Sequence, residues 1–132
     1  MQESPVFVKM FEFVAWLIPL SVKFPRQQRF VVAAAVQRAT FAAHEALIRA
    51  GQSAEPATAL AHLNEVAAQL ALVRFHLRLS ERLLLISVNQ YEYASECLAE
   101  LGRLVQAWRR SCRTKTTIIA TPTTAVPGAA SS

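Results

Sequence analysis

The chain contains no aspartate and only three glycines. So few glycines cannot build a phosphate-cradling loop, and no G-x-S-x-G or comparable nucleophile sequence occurs. Two cysteines, Cys97 and Cys112, lie on one expected helix. Fifteen positions of helix separate them by roughly 22 Å, which excludes a bond between them within the chain. They read as small, inert residues beside an apolar stripe in a reducing compartment. Long apolar runs are also missing. The longest near the N-terminus, Phe13 to Leu20, is too short to span a bilayer. Glu3, Lys9 and Glu12 interrupt that region and no positive segment precedes it, so it does not read as a signal peptide. The expectation is a soluble cytoplasmic protein that does not enter a membrane.

Metal chemistry lacks its ligands. A di-iron bundle needs inward glutamates and Glu-x-x-His pairs, and no Glu-x-x-His is present. His62 and Glu65 have the reverse spacing, and the adjacent His44 and Glu45 point apart on a helix. No metal, no cofactor and no catalysis are expected; the chain reads as a binding or assembly protein.

What is present favours helix. Of 132 residues, 53% are hydrophobic, enough for the core of one domain. Alanine, leucine, arginine and glutamate are abundant. The net charge is +5, and eleven of the fourteen basic residues are arginine, the side chain whose planar fork best matches phosphate and carboxylate.

Four helical segments follow in order. In the first, Phe7, Met10, Phe11, Val14, Leu17, Ile18 and Ser21 have the spacing of one helix face. Pro19, off that face, is expected to kink or end the helix. The second runs from about Arg26 to Ala50. Its main face is Val31, Val32, Ala35, Val36, Ala39, Ala42, Ala43, Ala46 and Leu47, small enough for close approach of a neighbour. A second stripe, Phe30, Phe41 and Ile48, lies roughly opposite. An outer bundle helix needs one apolar face, so these three are candidates for a subunit interface. Gly51 is expected to close the helix in the left-handed conformation. Ser53 or Glu55 would then cap the next helix, with Pro56 in its first turn.

The third segment runs from Pro56 to about Ile86, and Thr58, His62, Glu65, Gln69, His76 and Ser80 form its expected solvent stripe. Ser87 and Gln90 have capping-box spacing at the start of the fourth segment, which runs to about Cys112. There Tyr91, Ala94, Leu98, Leu101, Val105, Trp108 and Cys112 form the apolar stripe. Its acids come early and its bases late, as the helix dipole favours. Short connections give an all-α, up-down-up-down antiparallel four-helix bundle over residues 1–113. Residues 114–132, rich in Thr, Pro and Ala, read as a disordered tail.

Within the third segment, "LVRFHLRLSERLL" places Arg74, Arg78 and Arg82 four residues apart. On a helical wheel they fall about 160° from the polar stripe. Only Glu81 is near enough to pair, with Arg78. Burying the remaining charges alone would be very costly. They therefore face water, acids of another subunit, or phosphates. From periodicity alone, stems that cover leucines while the heads reach solvent explain them equally well.

Three landmarks carry a resemblance. "KFPRQQRF" (Lys23 to Phe30) is similar to a Phe/Ile-Pro-Lys/Arg break between helices one and two. "LVRFHLRL" (Leu72 to Leu79) is similar to a Leu-x-Arg-Phe-x-x-Arg pattern in helix three. "ELGRLVQAW" (Glu100 to Trp108) is similar to a Gly-Arg-x-x-x-x-Trp signature in helix four. Together they resemble the accessory variability determinant (Avd) proteins of diversity-generating retroelements, within the four-helix-bundle family that includes proteins encoded in 23S rRNA intervening sequences. Gln106 and Ala107 replace the small pair often found before the tryptophan, and helix two is poor in lysine.

The resemblance implies a homopentameric barrel and, as partners, the retroelement reverse transcriptase, its template RNA and the cDNA or hybrid. It implies a non-catalytic role in mutagenic cDNA synthesis and retrohoming, and it maps the family's helix-three arginines onto Arg74 and Arg78. Arg82 continues their strip. Lys23, Arg26 and Arg29 at the helix break follow as candidates, then Arg109, Arg110 and Arg113. The alternative is an oligomeric scaffold of the same fold, with no nucleic acid, whose arginines pair with Glu92, Glu96 and Glu100 across subunits.

Overall fold

In the computed structural model, residues 4–131 are described, with side chains through Thr117. Helix α1 is Pro5–Val22, α2 is Ala34–Gln52, α3 is Pro56–Arg82 and α4 is Val88–Ser131. A 3-10 turn, Arg26–Gln28, and a π turn, Arg29–Ala33, join α1 to α2. Each helix packs on its neighbours in sequence, and α1 closes the ring against α4. This is the expected antiparallel four-helix bundle. Helix α4 continues past Cys112, the last buried apolar residue among the described side chains. The tail reading for 114–132 falls mostly on residues outside the described side chains.

The core-facing stripe of α1 is Val6, Met10, Phe13, Leu17 and Ser21. It differs from the expected face: Phe11 is 66% exposed, while Phe13 is buried. Apolar residues surround this helix on nearly every side, so periodicity alone cannot select the inward one. Pro19 lies inside α1 without ending it. Pro19 and Ala15, whose carbonyl would have accepted its missing N–H, are both exposed, so water can satisfy that carbonyl.

The inner face of α2 is Val36, Ala39, Thr40, Ala43, Ala46, Leu47 and Ala50. Four alanines on that stripe let α3 approach closely, as expected. The π turn adds a residue to the helical count ahead of it and shifts the phase. Within it Val32 and Ala33 are buried, while Val31 is 66% exposed, contrary to its expected place in the core.

Three buried hydroxyls hold the polar part of the core. Ser21 Oγ donates to Ile18 O at 2.7 Å and accepts from Gln37 Nε2 at 2.9 Å. Thr40 and Ser80 donate to the carbonyls of Val36 and His76, each at 2.7 Å. These bonds to the preceding turn remove the cost of burying each hydroxyl. Ser80 is fully buried, so the expected solvent stripe of α3 does not continue that far.

The helix ends depart from expectation in two places and agree in one. Gly51 is helical, with no positive φ. Its value is space: a Cβ there would lie 2.7 Å from Phe7 Cζ. The Phe7 ring in turn meets Trp108 edge-on at 5.9 Å. Neither Ser53 nor Glu55 caps α3 through its side chain; Ser53 Oγ donates back to Arg49 O at 2.8 Å. The capping box does form at α4: Gln90 N donates to Ser87 Oγ at 3.0 Å and Ser87 N to Gln90 Oε1 at 2.8 Å.

Helix α3 closes on Leu84, whose φ is 63°. Leu85 N donates to Ser80 O at 2.8 Å and Leu84 N to Glu81 O at 3.0 Å. This is a Schellman closure with leucine where glycine is usual. The left-handed conformation strains a leucine that is also 87% exposed. Leu84→Gly should therefore raise stability by roughly 0.5–1 kcal/mol, after the extra chain entropy of glycine is subtracted. Urea unfolding should show a higher midpoint at unchanged slope.

Candidate nucleic-acid interface

The outer half of α3 follows from its inner half. Val66, Leu70, Val73, Leu77 and Ser80 are buried, which turns Arg74, Arg78 and Arg82 outward; all three are exposed. Successive members stand about 6 Å apart along the axis. Among the described residues none of the three is ion-paired, and the expected Glu81–Arg78 pair is not formed. A cationic strip that no acid pairs among the described residues remains available to an external anion.

The apolar residues beside this strip are exposed as well. Phe75 is 60% exposed, Leu72 45%, Leu79 37% and Leu83 45%. Phe75 lies near the centre of the outward face, diametrically away from the core stripe. Phe75 was legible only as part of a motif. The signal that could have marked it as a surface residue is its wheel position between Arg78 and Leu79.

Lys23, Arg26 and Arg29 are also exposed, and among the described residues none is ion-paired. Between them Phe24 is buried and anchors the break, so the Pro25 turn presents these cations at the end of the bundle. Arg109 differs from its neighbours. Its Nε donates to Asn64 Oδ1 at 3.0 Å and its Nη1 to Gln106 Oε1 at 2.7 Å, tying α4 to α3. Arg110 and Arg113 remain exposed on α4.

His76 and Arg38 line a groove between α3 and α2 with Gln69, Leu72 and Ala42. Burial, and secondarily the Arg38 guanidinium, hold the imidazole below its ordinary 6.5. A histidine depressed in this way is neutral in the folded state and gains a proton more readily when unfolded. Its contribution to stability is complete above about pH 6.5 and is lost as pH falls from there through the folded value. The NMR titration of His76 should have its midpoint below 6.5. Arg38→Ala should recover only the smaller part of the shift.

The interface candidates Phe30, Phe41 and Ile48 are 85%, 44% and 39% exposed. Ile48 shares a groove with Phe7, Val8, Phe11, Glu12 and His44. The unpartnered apolar surface therefore extends from α2 onto α1, which the sequence reading did not anticipate. By length and composition α1 is apolar enough to cross a membrane, a property that core helices of soluble proteins and signal sequences share. Here its inner face belongs to the bundle core, and Lys9 on α1 pairs with Glu100 of α4 at 3.3 Å. Among the described residues no three His, Cys, Asp or Glu side chains converge as a metal site.

The bAvd-like family is matched over residues 6–112, nearly the whole bundle. The chain belongs to the bAvd-like family. This agrees with the resemblance carried by the three motifs, all of which lie inside the matched span. No curated protein matches the chain. Among solved structures, it is similar to a protein of unknown function from the S23 ribosomal protein family of Bacteroides thetaiotaomicron VPI-5482. The TM-score is 0.75 at 22% identity, covering 83% of this chain and 99% of that one. At that identity the likeness concerns the fold, and it places this bAvd-like bundle in the same architecture.

Proposed function

We propose that this chain is a non-catalytic accessory protein of a diversity-generating retroelement. It acts in the cytoplasm as a homopentamer, binding template RNA and the RNA/DNA hybrid and docking the reverse transcriptase during mutagenic cDNA synthesis. The observation that carries this reading is the outward strip of Arg74, Arg78 and Arg82, with no acid paired to it among the described residues. Membership of the bAvd-like family supports the retroelement context. The apolar patches on α1 and α2 support self-assembly, and repetition of the strip around a ring would sum its field. Phosphate contacts predict affinity with little base specificity.

The test is binding of a structured RNA across a salt series, with oligomer mass checked in parallel. Arg74→Ala/Arg78→Ala should bind more weakly and with a shallower dependence on salt. Equal binding by wild type and variant would move any nucleic-acid site away from α3. Failure of both to bind would favour the second reading, in which the arginines meet acids of another subunit. One observation favours that alternative: Glu92 and Glu96 of α4 are exposed at the same four-residue spacing. Glu100 fits it less well, because Lys9 already holds it.

A further inference from the structure

Phe75 has no part in the core and stands among arginines. It follows Arg74 and is 60% exposed. On the α3 wheel it lies between Arg78 and Leu79, and Arg82, two turns after Arg74, falls beside it. None of Arg74, Arg78 and Arg82 is ion-paired among the described residues. Successive arginines stand about 6 Å apart along the axis, so the ring has a cation on either side of it.

Resting on the nucleic-acid reading above, we infer that the outward face of α3 is a track for a single strand, with Phe75 as its base-stacking residue. An exposed aromatic ring set among unpaired cations matches the two chemistries of an unpaired strand. Bases offer flat faces to the ring, and phosphates offer charge to the arginines. A duplex satisfies only the second, because its base faces are buried in its own stack. The acceptable strand is therefore unpaired RNA or newly made single-stranded DNA, and the ring face does not depend on sequence.

The experiment compares oligouridylate, oligothymidylate and an RNA duplex of equal length, each across a salt series. The proteins are the full chain, Phe75→Leu and Phe75→Trp, with oligomer mass recorded for each. Leucine keeps the apolar bulk and removes the aromatic face, so it separates stacking from packing. Wild type should bind the single strands more tightly than the duplex. Phe75→Leu should lose about tenfold or more on single strands, with unchanged salt slope and unchanged duplex affinity. Phe75→Trp should retain binding, and its added indole fluorescence should be quenched by the strand. The stronger of the uridylate and thymidylate responses identifies RNA or DNA as the natural strand.

Single-strand binding by Phe75→Leu equal to wild type would overturn the stacking role, and with it assign the exposed ring to a subunit or protein contact. Equal binding of strand and duplex by wild type, with a clear salt slope, would overturn this inference while leaving phosphate binding intact. Absence of binding to all three probes would overturn both.

Discussion

Reversing all three strip arginines, in Arg74→Glu/Arg78→Glu/Arg82→Glu, should abolish RNA binding while leaving the bundle folded. Each reversal removes two units of charge, so the formal net charge moves from +5 to −1. The three positions are exposed and carry no ion pair among the described residues. Surface substitutions of that kind usually change stability by no more than about 0.5 kcal/mol each. The binding effect should be far larger. If each arginine neutralises one phosphate, the slope of log affinity against log salt falls by about 0.9 per arginine on a duplex and about 0.7 on a single strand. Replacement by alanine removes only that attraction; replacement by glutamate adds repulsion of the phosphates. Circular dichroism and oligomer mass should match wild type, while electrophoretic or anisotropy titrations should show no complex at moderate salt. Wild-type affinity in the folded triple variant would exclude the strip as the contact.

Leu17→Ala should be among the most damaging truncations in α1, at about 2–5 kcal/mol. Leu17 has no exposed surface and lies in the main core cluster with Phe13 and Met10. Alanine would lose the transfer energy of the removed carbons and leave a cavity that rigid neighbours cannot fill. Total stabilities of small domains are only about 5–15 kcal/mol, so such a loss approaches unfolding. Urea denaturation should show a sharply lower midpoint with little change in slope. The comparison with Phe11→Ala is diagnostic. Phe11 belongs to the same helix but is 66% exposed, so its truncation should leave monomer stability nearly unchanged. Equal effects at the two positions would mean that α1 is not seated in the bundle as described.

Helical periodicity locates the four helices because each connection carries its own chemistry: Pro25 at the first break, Pro56 at the start of α3, Ser87 and Gln90 at the start of α4. The α4 stripe is equally legible, since Ala94, Leu98, Leu101, Val105 and Cys112 are buried and their outward neighbours are polar. The exposure of Arg74, Arg78 and Arg82 follows from the cost of burying unpaired guanidinium charge. These features depend on residues within a turn or two of each other, and local sequence suffices to define them.

Other features are set by distant parts of the chain. Which of two apolar faces of α1 turns inward, Phe11 or Phe13, depends on where α2 and α4 lie. Gly51 looks like a helix terminator in sequence, yet it is a helical position kept bare for the Phe7 ring, 44 residues earlier. Val31 lies within the π turn, where Val32 and Ala33 take the buried positions and Val31 faces out. Arg109 resembles its basic neighbours until Asn64 on α3 engages it. Composition and periodicity alone determined that this chain is a basic helical bundle with an arginine strip on α3. Tertiary structure alone decided which apolar residues close the core and which remain at the surface, because burial depends on neighbours brought together only by packing.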